Sequence, residues 1–215
     1  MLDTQFLYID LIALIPLSIF SAWTGPYPTL NKNLPTATLF YAPVLMSVIM
    51  SASIQFAFQT YFFFDVTKQV FYVPPFNIGG DNVRDVLIVG YEETVLFQLT
   101  NFQYLITCCS FLVSYPFRKP FYTNLWFMVF VVATFVMNTL FIVLPASGPI
   151  CTFFGLQQYT GDVSYKWNII IGIVLNAALT YGAEKVISKY VTSYFDRQNE
   201  AKKAKVFKEM MKAYE

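Results

Sequence analysis

Residues Gln5–Ala22 read QFLYIDLIALIPLSIFSA, an apolar run with a single carboxylate inside it. About 20 such residues in a helix, rising 1.5 Å each, cross the hydrocarbon core of a bilayer. Lipid offers backbone N–H and C=O groups no partner, so a run of this kind must close its hydrogen bonds internally and be helical. Four more runs follow, at about Leu39–Phe63, Thr94–Tyr115, Thr123–Leu144 and Trp167–Ile187. The expectation is an all-α fold: a polytopic transmembrane helix bundle of five spans within residues 1–190. A basic cytosolic tail over 191–215 completes it.

Composition supports that reading. Apolar residues make up 56% of the chain and charged ones 13%, about half the charge of a soluble domain. In water so much apolar surface would form large patches and aggregate; the bilayer is the expected partner. There is no histidine, which excludes His-based metal sites, His general bases and His-containing triads. Cys108 and Cys109 are adjacent and Cys151 stands alone, so they read as small apolar residues and not as a disulfide framework. No metal site and no catalytic residue is expected. A phosphate-cradling Gly-rich loop is also missing, and the basic tail lacks the platform of a nucleic-acid binder, so no nucleic-acid partner is expected.

Charge sets the topology. Lys32, Arg118, Lys119 and the residues from Lys185 onward put eleven of the fourteen basic residues on one face. The other face carries Lys68, Arg84 and Lys166 beside Asp65, Asp81, Asp85, Glu92, Glu93 and Asp162. The positive-inside rule then predicts a cytosolic C-terminus and an outer, lumenal N-terminus. In the tail, Phe207, Met210, Met211 and Tyr214 form one apolar stripe among lysines. That pattern fits an interfacial or docking helix, and equally a solvated basic tail.

Asp10 is the most informative residue. A carboxylate at depth costs about 2.5–3.5 kcal/mol on insertion scales, so it should face water or a partner. Asp3 lies seven residues earlier, about 10 Å along a helix and on the same face, with Phe6 between them. Two carboxylates and a ring so spaced suit an elongated cation with more than one positive charge. A structural reading also stands, in which Asp10 pairs with a basic or amide group of a neighbouring helix. The in-span amides Gln55, Gln59, Gln98, Asn101, Gln103, Asn138 and Asn176 read mostly as interhelical hydrogen-bond glue. Pro16, Pro43, Gly172 and Gly182 either kink helices beside a pathway or are ordinary membrane-helix residues. Thr160-Gly161-Asp162 matches a catalytic tripeptide of ATP-driven pumps, but in a short outer loop it is read as coincidence.

Several stretches together resemble one family. Asp3-Thr4-Gln5-Phe6-Leu7-Tyr8-Ile9-Asp10-Leu11 is similar to the sixth membrane helix of the polyamine-transporting P-type ATPases, the B subgroup of the fifth class. Thr24-Gly25-Pro26-Tyr27-Pro28 and Leu34-Pro35-Thr36 resemble the loop after that helix. Tyr91-Glu92-Glu93-Thr94-Val95-Leu96-Phe97 and Asn101-Phe102-Gln103-Tyr104-Leu105 resemble the entry to the eighth. Ser114-Tyr115-Pro116-Phe117-Arg118-Lys119-Pro120-Phe121-Tyr122-Thr123-Asn124 resembles the turn into the ninth.

The resemblance implies that the five spans are helices six to ten, the C-terminal membrane half of such a pump. Met1 stands almost directly before the first span, which suggests that an upstream part has been removed. The resemblance further implies that Asp3 and Asp10 help bind a polyamine and that Phe6 lines the same pocket. It implies an endolysosomal or vacuolar membrane. ATP and Mg2+ would be handled by the parent protein, because the phosphorylated segment, nucleotide-binding domain and actuator loop lie outside these residues. The chain by itself needs no cofactor and should be inactive; its partners would be lipid, an organic cation and the remainder of the ATPase. The competing expectation is a non-catalytic membrane scaffold or partner protein with no transport of its own. A five-helix channel or carrier fits less well, since the spans show no internal repeat.

Overall fold

The structure, a computed structural model, describes residues 3–29, 41–74, 90–112, 117–145, 147–157, 163–191, 193–194 and 197. Lys32, Leu34-Pro35-Thr36, Arg84, Ser114-Tyr115-Pro116, Thr160-Gly161-Asp162 and the Phe207–Tyr214 stripe lie outside the described residues.

All five expected helices form. They are α1 (Asp3–Ala22), α2 (Ala42–Val66), α3 (Tyr91–Phe111), α4 (Leu125–Val143) and, after a short α5 (Pro149–Phe153), α6 (Val163–Val191). Pro43 stands in the first turn of α2, where its missing N–H would have no intrahelical partner anyway. Asn124 caps α4 by accepting the N–H of Phe127 at 3.2 Å. Cys151 lies buried in α5. That helix ends where Gly155 takes φ +59°, a conformation that favours glycine, and Leu156 N–H reaches back to the Cys151 carbonyl at 2.8 Å.

The third helix differs in kind from the other four. Among the described residues, α1, α2, α4 and α6 are long and apolar enough to cross a membrane by length and composition. α3 is 21 residues long but carries Glu92, Glu93, Gln98, Asn101 and Gln103. Its position explains the difference. α3 packs against α2, α4 and α6 and touches α1, and none of its residues is exposed. Its polar side chains meet other helices in place of lipid. The outer helices turn large apolar residues outward instead, among them Ile49, Phe56, Val132, Ile171 and Val174.

Two packing layers share α3. On one side Phe62, Val95, Leu99, Tyr165 and Ile169 join α2, α3 and α6. On the other, Tyr8, Phe97, Phe141, Cys151 and Phe154 join α1, α3, α4 and α5. At one end of the bundle the segment after α1 pairs with the segment after α3: Lys119 N–H donates to Gly25 O (3.0 Å) and Tyr27 N–H to Phe117 O (3.1 Å). Asn124 Nδ2 adds a bond to Phe20 O at 2.7 Å. The two loops expected on one face therefore do meet there.

Candidate functional site

The site expected from sequence lies on α1, and the backbone there is not a plain α-helix. Residues Tyr8–Leu14 form a π-helical stretch, closed by Ile15 N–H donating to the Asp10 carbonyl five residues back. Pro16 supplies the reason. It has no N–H for the Ile12 carbonyl, and its ring crowds that carbonyl in α geometry. A wider turn before the proline relieves both problems, and such turns cluster at functional positions. The π turns begin at Tyr8, so Asp10 is set round the axis from where an unbroken α-helix would hold it above Asp3.

The rotation of α1 is fixed by its buried side. Gln5 Nε2 donates to Phe154 O at 2.9 Å, and Tyr8 OH donates to Asn138 Oδ1 at 2.8 Å. The Tyr8 ring meets Phe141 edge-on at 5.2 Å and Phe154 at 5.5 Å. Ile9, Ala13 and Leu17 complete the buried face. Asp3, Phe6 and Asp10 consequently share the side turned away from the bundle, and Phe6 is 50% exposed. Around them stand Leu7, Leu11, Ile12 and Ile15, all exposed. The Asp10 carboxylate pairs with no side chain among the described residues. A carboxylate so placed, on a face otherwise fit for lipid, can accept hydrogen bonds from an ammonium group.

Most of the in-span amides do bridge helices. Gln98 Nε2 donates to Phe141 O at 2.8 Å, Gln59 Nε2 to Gln103 Oε1 at 2.7 Å, and Gln103 Nε2 to Gln55 O at 3.1 Å. Gln55 also donates to Thr107 Oγ1. Asn101 and Asn176 do not follow the pattern: both are buried, and neither amide atom has a partner among the described residues. Gly172 is required by a close approach, since a Cβ there would lie 2.3 Å from the Phe62 ring. Gly182 meets no such neighbour.

Outside the spans, Tyr72 donates to the Glu92 carboxylate. That hydrogen bond, with burial and the nearby negative charge adding to it, pushes the Tyr72 phenol above the ordinary tyrosine value. Three positions that the sequence reading left aside have clear roles here. Gln5 and Tyr8 anchor α1, and Glu184 on α6 accepts from Ser47 on α2. Helical periodicity carried the signal for the last: Glu184 stands four and eight residues beyond Thr180 and Asn176 on one stripe.

No family model matches the chain. It is 29% identical over 204 residues to the vacuolar cation-transporting ATPase YPK9 of Saccharomyces cerevisiae, covering 95% of this chain and 13% of that protein. It is 30% identical over 191 residues to the polyamine-transporting ATPase 13A2 of Mus musculus, covering 87% of this chain and 16% of the relative. Against the polyamine-transporting ATPase 13A3 of Homo sapiens the identity is 30% over 209 residues, covering 87% and 17%. The chain thus spans less than a fifth of the length of these curated relatives.

Proposed function

We propose that this chain, a homologue of the C-terminal membrane region of the polyamine- and cation-transporting P-type ATPases, forms one wall of the cation site in such a transporter and braces it. The observation that carries the reading is the outward aim of Asp10 from an otherwise apolar face of α1, at a π-helical stretch, with no side-chain partner among the described residues. A carboxylate facing hydrocarbon is costly. One facing an ammonium group across a helix interface is not, because charge-assisted hydrogen bonds offset its desolvation.

In this reading Asp10 binds one ammonium of a polyamine and Asp3 a second, nearer the helix start. The exposed Phe6 ring packs on the chain between them and attracts the cation through its face. The opposite wall, and the ATP- and Mg2+-dependent chemistry, belong to parts of the transporter other than this segment. The bundle end that gathers Arg118, Lys119, Lys185 and Lys189 is the cytosolic one, by the positive-inside rule. The start of α1 then faces the lumen, and the substrate leaves towards the cytosol. The yeast relative is a vacuolar ATPase, which supports a vacuolar or endolysosomal membrane for this chain.

The test is polyamine-stimulated ATP hydrolysis in a full-length transporter containing these helices, with Asp10→Asn. A charge-assisted bond contributes about 1.5–3 kcal/mol, so the spermine concentration for half-maximal stimulation should rise at least tenfold. An unchanged value removes Asp10 from the site.

A further inference from the structure

The outer face of α6 changes character along its length. Ile171 and Leu175 are exposed apolar residues, and on the same stripe the exposed Ala178 and Gly182 follow. Gly182 is unlike Gly172, which Phe62 requires: a Cβ at Gly182 would meet nothing within 4 Å. Glycine inside a helix is less stable than alanine, and no contact among the described residues calls for it here. A body outside the chain that lies close against the helix backbone would.

Just beyond this shallow groove stand Lys185 and Lys189, both exposed. In an α-helix two residues four apart drift by about 40° around the axis. From Ile187 to Val191 the helix widens to π turns, in which each residue advances through a smaller angle, so Lys189 comes more nearly above Lys185. Both ammonium groups lie over aromatic rings: Lys185 Nζ is 4.8 Å from the Tyr181 centroid and Lys189 Nζ 5.3 Å from that of Tyr190. Neither lysine pairs with a carboxylate among the described residues. The acid beside them, Glu184, is turned to α2, where it accepts from Ser47.

An apolar track, a bare stretch of backbone and then two cations follow the order of a phospholipid: acyl chain, glycerol, phosphate. By the positive-inside rule this end of α6 is cytosolic, and anionic lipids concentrate in that leaflet. A helix partner would also fit the small residues Ala178 and Gly182, but it would set apolar surface against two unpaired charges. Charge complementarity therefore favours lipid.

We propose that this face of α6 binds one anionic glycerophospholipid of the cytosolic leaflet. Its phosphate sits between Lys185 and Lys189, its glycerol lies on the groove at Gly182, and an acyl chain follows Leu175 and Ile171. The lysine pair selects anionic over zwitterionic headgroups. The site is separate from Asp10 on α1 and does not depend on it.

The full chain is purified in detergent, and lipid binding is read by native mass spectrometry. The probes are phosphatidylserine and phosphatidylcholine with the same acyl chains. One phosphatidylserine should be held at least tenfold more tightly than phosphatidylcholine, and Lys185→Gln with Lys189→Gln should remove the preference. Gly182→Leu keeps both charges but fills the groove, and should weaken phosphatidylserine binding at least fivefold. Lys203→Gln with Lys205→Gln, in the basic tail, should leave the preference as it was. Retention of the preference in the Lys185/Lys189 variant, or of full affinity in Gly182→Leu, would overturn the proposal. So would equal loss from the tail variant, because the attraction would then be diffuse. A dimer in the same spectra that Gly182→Leu abolishes would place a second copy's helix in the groove and likewise overturn it.

Discussion

Tyr8 decides where Asp10 points, from the opposite side of α1. Its hydroxyl holds Asn138 130 positions away, and its ring stands edge-on to Phe141 and Phe154. Tyr8→Phe keeps the ring but leaves Asn138 Oδ1 unmet beside an Nδ2 that has no partner among the described residues. Burying an unmatched acceptor costs about 1–3 kcal/mol, so thermal unfolding should show a clear loss of stability. The cost of Asp10 was plain in the sequence, since a carboxylate among Leu and Ile is expensive to place in lipid. Its direction was not. The amide and carbonyl that orient α1 come from α4 and the segment after α5, which a local pattern cannot align with it.

At the scale of elements, the departures from simple helices trace to particular residues. Pro16 was read as a kink or as nothing; it accompanies seven residues of π-helix that include Asp10. Pro16→Ala returns an N–H to the helix and lets those turns tighten to α geometry. Tm should rise. The spermine concentration for half-maximal stimulation in a full-length transporter should shift too, because Asp10 turns about the helix axis relative to Asp3. A rise in Tm with unchanged stimulation would separate the π turns from binding. Gly172 marks the second such place. Gly172→Ala puts a methyl into the Phe62 ring, and overpacking of that kind typically costs about 1–3 kcal/mol. Adding Phe62→Leu to the same chain should recover part of the loss, measurable as a Tm higher than that of the single variant.

For the whole molecule, the paired loops and the Ser47–Glu184 contact gather the ends of α1, α3 and α6 and the starts of α2 and α4 at one end of the bundle. The start of α1 lies at the other, held by Phe154. Epitope tags on the two termini should therefore be cut by protease from opposite faces of sealed vesicles, and cleavage of both from one face would contradict the arrangement. Five helical runs, their order and the alternation of their charges were determined by the sequence itself. Apolar length and basic loops act locally on each segment as it meets the bilayer, so they can be read one segment at a time. The tertiary structure decided which helix lies inside. α3 has the length of a span but the polarity of a core helix, and only packing by α2, α4 and α6 turns its amides into ties. It likewise decided that Asp3, Phe6 and Asp10 face outward, and that Asn176 and Thr180 are buried. The physical reason is shared: a helix's rotation about its axis is fixed by contacts between segments distant in the chain.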